Sequence, residues 1–229
     1  MLQKQRRQIS EYMPVILVLG ALQFFVCEFL VAGSWRGDYS YSQNFISDLG
    51  VPYCGNADRP CSTSSVLLTI SLVVLGVALV AAAVWVRLAA PTPPVGSMFL
   101  AVAGVGSGIA GVAHSNTNWP LHSLGATLFM IFGSCAVLTV GLSGCVLRRN
   151  VVSMLTAPLG LLGLIGYFCY VNNWQLGLGP GGIERVSAYS VIIGFVCAVA
   201  MVSRSRRTLD RQAAADPAPV RHRSSRQPA

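Results

Sequence analysis

The sequence predicts an all-α, polytopic membrane protein: a six-helix transmembrane bundle with both termini in the cytoplasm. Three observations carry that prediction. Apolar residues make up 53% of the 229-residue chain and charged residues 10%, against about 25% charged in an average soluble domain, and the mean hydropathy is +0.60. The apolar residues fall into runs long enough to cross a bilayer core, which needs roughly 20 helical residues for about 30 Å. Finally, the basic residues divide unequally between the two sets of loops. Together these exclude a soluble enzyme, a disordered chain and a disulfide-rich secreted domain.

The first run, Pro14–Gly33, follows Lys4, Arg6 and Arg7 as a signal peptide would. It is longer than the roughly 7–15 residues of a signal h-region, so it reads as an uncleaved anchor. The others are Val66–Val86, Gly96–Ala113, Leu124–Leu147, Val151–Val171 and Val186–Val202, and Glu28 is the one formally charged residue in the set. None alternates polar with apolar as a β-barrel strand would. Residues 1–203 thus form the transmembrane domain. Residues 204–229, rich in Arg, Ser, Ala, Pro and Gln, are expected to be a disordered cytoplasmic tail.

Orientation follows from the Lys and Arg positions. With the N-terminus inside, only Arg36, Arg59 and Arg185 of the 16 basic residues face outward, beside Asp38, Asp48, Asp58 and Glu184. The net charge of +8 is then a topology signal, with anionic lipid as the tail's partner. The tail has no interleaved aromatics to stack bases, so nucleic acid is not a partner. The expected location is the plasma (inner) membrane of a bacterium.

The outer connections carry the irregular sequence: Ser34–Ser65, Ser115–Ser123 and the Gly-rich Asn172–Arg185. The longest contains Trp35, Tyr39, Tyr41, Phe45 and Ile46, too apolar for a solvated linker, and is expected to cap the bundle. Five of the seven cysteines lie inside spans and read as small hydrophobes. Cys54 and Cys61 share the long outer loop, where a disulfide would add about 2–3 kcal/mol. Gly106, Gly108 and Gly111 match a dinucleotide fingerprint formally, but lack the strand and aqueous crevice it requires. With Gly104, and with Gly160, Gly163 and Gly166, they read as helix-packing positions. Neither a metal nor a cofactor is implied.

The polar residues near the outer face are the candidate site: Glu28, Ser47, Asp48, His114, His122, Glu184 and Arg185. An intramembrane carboxylate such as Glu28 is a functional candidate by default; otherwise it reaches the outer interface, or sits neutral against Gln23 or a neighbouring helix. Asp48, in Asn44-Phe-Ile-Ser47-Asp48-Leu-Gly50, either caps backbone N–H groups or faces an outward cavity. His114 and His122 lack zinc-helix spacing, and either pack at the interface or join a carboxylate as a hydrolase would. Glu184 and Arg185, adjacent and so on different helix faces, each pair elsewhere, with Asp48 or Glu28 opposite Arg185. The spatial expectation is one outer-face cluster, with Asp48 bonded to Arg185 or His122.

The first span, the Asn44…Ile46-Ser47-Asp48-Leu49-Gly50 stretch with Cys54 and Cys61, Leu121-His122-Ser-Leu-Gly125-Ala126 and Gly181-Gly182-Ile-Glu184-Arg185-Val-Ser-Ala188-Tyr189 resemble the bacterial membrane family known as domain of unknown function 998. The likeness runs to about residue 203. It implies a six-helix membrane domain and brings no established activity. The Ile46-Ser47-Asp48 turn with Gly50 is more distantly similar to DRAM/Sfk-type membrane proteins, linked with autophagy and lipid organisation. The family often has an acidic residue after the third span, where this chain has His114-Ser115-Asn116; that weakens any metal or acid–base role there.

The expected function is a non-enzymatic membrane protein that binds lipid or an envelope partner at its outer face. The alternative is an interfacial hydrolase acting on a lipid through Asp48, His122 and Glu28. A transporter ranks last, because the spans lack mid-membrane polar groups. Two measurements test the layout. Reporter fusions after Val202 should be active only in the cytoplasm, and outward activity would reverse the orientation. Cys54 and Cys61 should resist alkylation until a reductant is added; labelling of both in the unreduced protein would reject the bond.

Overall fold

The computed structural model describes residues 2–51, 62–89, 94–147 and 151–215. Its elements are helices: α1 (Leu2–Gly33), the single turn α2 (Ile46–Leu49), α3 (Ser65–Ala89), α4 (Pro94–Val112), α5 (Trp119–Leu147), α6 (Val151–Val171) and α7 (Gly179–Ala215). Among the described residues no strand forms, only one isolated antiparallel bridge between Trp35 and Ser62. Six helices are long and apolar enough to cross a membrane: Glu11–Gly33, Ser65–Leu88, Pro94–Val112, Trp119–Ser143, Met154–Val171 and Gly179–Thr208. The chain is therefore an all-α, multi-pass membrane protein. Cys54, Asp58 and Cys61 lie outside the described residues, and the expected disulfide with them.

Successive long helices pack as neighbours, α1 on α3, α3 on α4, α4 on α5, α5 on α6 and α6 on α7. Helix α7 also touches α1, α3 and α5, so it is the axis of the bundle. Its buried face carries Ile183, Ala188, Val191, Ile192, Phe195 and Val199. Neighbouring long helices run antiparallel, so Leu2 and Ala215 lie at the end of the bundle opposite residues 34–51, which mark the loop end.

Close approach between helices comes from missing side chains, as lipid-solvated helices require. A Cβ on Gly104 would sit 2.6 Å from the Gly76 carbonyl, and one on Gly76 2.5 Å from that of Gly104, so α3 and α4 cross backbone to backbone. On α6, Gly160 approaches Leu138 of α5, while Gly166 approaches Ser187 of α7. Cys27, Cys135, Cys169 and Cys197 are free thiols.

Helix ends depart from the apolar runs in three places. Helix α1 begins at Leu2, well before Pro14, because Gln, Lys and Arg are good helix formers. Helix α5 starts at Trp119: the Asn118 side chain accepts the Leu121 backbone N–H at 3.2 Å, an N-cap, and Pro120 fits the first turn. Helix α7 runs from Gly179 to Ala215, so residues 204–215 correct the expectation of disorder from 204 onward. Its Arg, Leu, Gln and Ala residues favour helix, and no Gly or Pro interrupts 204–215.

Candidate functional site

The segment after α1 folds back onto the loop end of α7. Its base is fixed by serines: Ser62 donates to the Val31 carbonyl at 3.0 Å, and the Ser34 and Ser62 hydroxyls lie 2.6 Å apart. A tight turn follows, in which Asn44 accepts the Ser40 N–H through its side chain at 2.9 Å and donates its own N–H to the Ser40 carbonyl. The Ser42 carbonyl points at the start of α7, where it accepts the N–H groups of Gly181 and Gly182 at 2.9 and 3.2 Å. The loop backbone thus caps orphan donors of that helix. Only glycine permits the contact, since a Cβ on Gly181 would overlap the Asn44 carbonyl.

Beneath the loop lies Arg185, 5% exposed. Its Nε donates to Glu28 Oε1 at 3.0 Å, and Nη2 meets the same oxygen at 2.9 Å. Nη2 also donates to the Tyr39 hydroxyl. Nη1 faces the carbonyls of Tyr41, Asn44 and Gly181 at 2.7, 2.8 and 3.0 Å, and the guanidinium carbon sits 4.8 Å from the centre of the Tyr41 ring. All five donors of the fork therefore face acceptors. Glu28, 2% exposed, completes the pair by accepting the Tyr189 hydroxyl on Oε2 at 2.7 Å. Glu184, also buried, accepts the backbone N–H of Ile46.

Outside the spans, burial raises the Tyr39 phenol, against the pull of Arg185, and so keeps it neutral. It can then accept from Arg185 and donate to the Phe45 carbonyl at 3.3 Å. Burial also raises Tyr41. Asp48 is raised by burial and opposed by its bond to the Phe45 N–H and by the charge of Arg185.

The candidate residues from the sequence separate into groups. Glu28 and Arg185 bond to each other, and Glu184 joins them through the loop. Asp48 is not hydrogen-bonded to Arg185 or His122. It turns back on its own helix turn, where Oδ2 accepts the Phe45 N–H at 2.8 Å, one half of a capping box. Ser47 contributes its carbonyl, 3.5 Å from the Ser115 hydroxyl. His122 Nδ1 donates into the turn after α4, with the Ala113 and Ala110 carbonyls at 2.7 and 3.1 Å. His114 Nε2 pairs with Thr69 Oγ1 at 3.2 Å. No hydrogen bond joins Asp48, His122 and Glu28 among the described residues, and no group of three His, Cys, Asp or Glu there could hold a metal ion. Tyr189 and Tyr39 were not foreseen as partners; the i, i+4 spacing of Arg185 and Tyr189, which puts both on one helix face, was the available signal.

The fold and this buried ion pair define a polytopic helical membrane protein whose loop is locked to its central helix. A family model described as a protein of unknown function (DUF998) matches residues 18–202, and the chain belongs to that family. No curated protein and no solved structure matches it.

Removing one partner of a buried, hydrogen-bonded pair costs about 3–5 kcal/mol, whereas losing a cap costs about 1 kcal/mol. Arg185→Gln should accordingly destabilise the protein far more than Asp48→Ala and open residues 34–51 to protease. Thermal unfolding in detergent with limited proteolysis measures both, and equal shifts would refute the ranking.

Proposed function

We propose that the protein is a non-enzymatic lipid-binding protein of the bacterial plasma membrane, oriented with its termini in the cytoplasm and taking a phospholipid acyl chain at its loop end. The observation that carries this reading is a groove of about 600 Å³ between α3, α4 and α5, within the roughly 300–1,000 Å³ of small-molecule sites. Its walls include Val105, Val112 and Leu121, and Thr117 and Asn118 stand at its loop-end rim. An apolar trough with polar groups at the headgroup level suits a lipid held lengthwise.

Gly108 forms part of the lining, and a Cβ there would meet nothing within 4 Å. It therefore differs from Gly104 one turn earlier, whose missing side chain is filled by α3. A glycine that admits no neighbour keeps a trough open. The committed bonds of Asp48, His122 and Glu28 favour this reading over lipid hydrolysis, which needs them near enough to share a proton. At the opposite end, Arg204, Arg207 and Arg211 are exposed on the continuous α7 helix, a spacing suited to anionic lipid headgroups.

Gly108→Leu should fill the groove. Retention of phospholipid through purification, read by native mass spectrometry, should fall several-fold, while the melting temperature in detergent stays at or above that of the wild type, because Leu is a better helix former than Gly. Unchanged retention would reject the site. Gly104→Leu should instead unfold the α3–α4 crossing.

A further inference from the structure

The connection between α6 and α7 contains one residue that internal packing does not account for. Helix α6 ends in a Schellman motif: the Trp174 N–H bonds to the Cys169 carbonyl at 2.8 Å and the Asn173 N–H to that of Tyr170 at 3.2 Å. Asn173, at φ 55°, takes the left-handed position the motif needs. The Trp174 ring then meets Phe168 edge-on, 5.4 Å between centres, the apolar contact that accompanies such caps. Asn173 and Trp174 are thus explained by the fold.

Leu176 is not. The Leu178 N–H bonds to the Gln175 carbonyl at 2.8 Å, closing a turn whose central residues, Leu176 and Gly177, have φ 49° and 80°. Two positive φ values define the type I′ turn, which Gly, Asn and Asp occupy. Leu pays a steric penalty there and recovers little from the described residues, since it is 71% exposed. Trp174 and Leu178 beside it are 54% and 47% exposed. Among the described residues nothing compensates Leu176.

The surroundings select a lipid surface. Phe168, on which Trp174 rests, belongs to the exposed apolar side of α6 with Leu161, Ile165 and Val171. The turn therefore continues the surface that a bilayer covers. From Asn172 to Ile183 the sequence has no charged residue, so nothing in the turn is matched to a charged partner. Amphipathic tryptophan sits preferentially at the boundary between headgroups and acyl chains.

We propose that Trp174–Leu178 is an interfacial anchor, with Leu176 inserted among the acyl chains of the leaflet at the loop end. This does not depend on the groove between α3, α4 and α5. The anchor takes phospholipid without headgroup selectivity and fixes the depth of the α6–α7 end in the bilayer.

The full chain reconstituted into phosphatidylcholine vesicles provides the test. Trp174 emission is taken as the difference between wild type and Trp174→Phe. It should be quenched by phosphatidylcholine brominated near the glycerol end of its chains and be shielded from aqueous iodide. Leu176→Asn suits the turn better, so it should melt at or above the wild type in detergent, yet raise iodide access to Trp174 in vesicles. Strong iodide quenching of the wild type, or Leu176→Asn leaving access unchanged, would overturn the anchor. The first result would leave the turn in water, free for a protein partner.

Discussion

The loop end of the bundle is organised around the Arg185 guanidinium. An arginine buried among apolar helices is tolerated only when its charge and its donors are both met, and here they are met by three separate pieces of chain. Glu28 on α1 supplies the counter-charge, the loop supplies the carbonyls of Tyr41 and Asn44, and Gly181 supplies one from the preceding turn of α7. The loop follows α1 directly, but α7 is far from both in sequence. One side chain therefore specifies how α1, the loop and α7 sit together.

The adjacent pair Glu184-Arg185 gains its meaning from the backbone it serves. A loop laid over a helix bundle buries N–H and C=O groups that water can no longer satisfy. Arg185 donates to two loop carbonyls, and the N–H groups of Gly181 and Gly182 donate to a third, that of Ser42. Glu184 does the converse, accepting the loop N–H of Ile46. The first turns of α7 thus provide donors and an acceptor where the loop needs them, and the glycines let the strand of loop come close enough for the bonds to form. Such a network, with every member engaged, rigidifies more than it reacts.

The spans were legible in the sequence because each is a long apolar run, and hydropathy alone marks those. Their ends were less so, since helix continues wherever polar residues still favour it, as at Leu2–Tyr12 and Arg204–Ala215. In the site, an unpaired carboxylate and an arginine at one depth pointed to Glu28 and Arg185. The choice between Glu28 and Asp48 was not readable, because it turns on a local competition. Asp48 finds a backbone donor three residues away, which orders little chain, while Glu28 in its span has no free local N–H. The histidines follow the same logic: His122 reaches carbonyls just across the turn after α4. Tyrosines were read for their rings, and their hydroxyls became visible as partners only once α1 and α7 were neighbours.

Most departures from ordinary residue choice in this chain have an internal cause. Gly104 and Gly76 admit a neighbouring backbone, Gly181 admits the loop, and Asn173 caps a helix. Gly108 and Leu176 lack such a cause among the described residues, and they err in opposite directions. Gly108 leaves space where a larger apolar residue would fit, and Leu176 places a large apolar residue where a turn calls for a small or polar one. Both lie at the loop end, on surface that helices of this hydropathy present to lipid. A sequence that satisfies its local rules nearly everywhere, and breaks them where its own packing gives no return, is responding to what lies outside it. For a membrane protein whose most polar residues are consumed in holding a loop shut, that outside is first of all the bilayer.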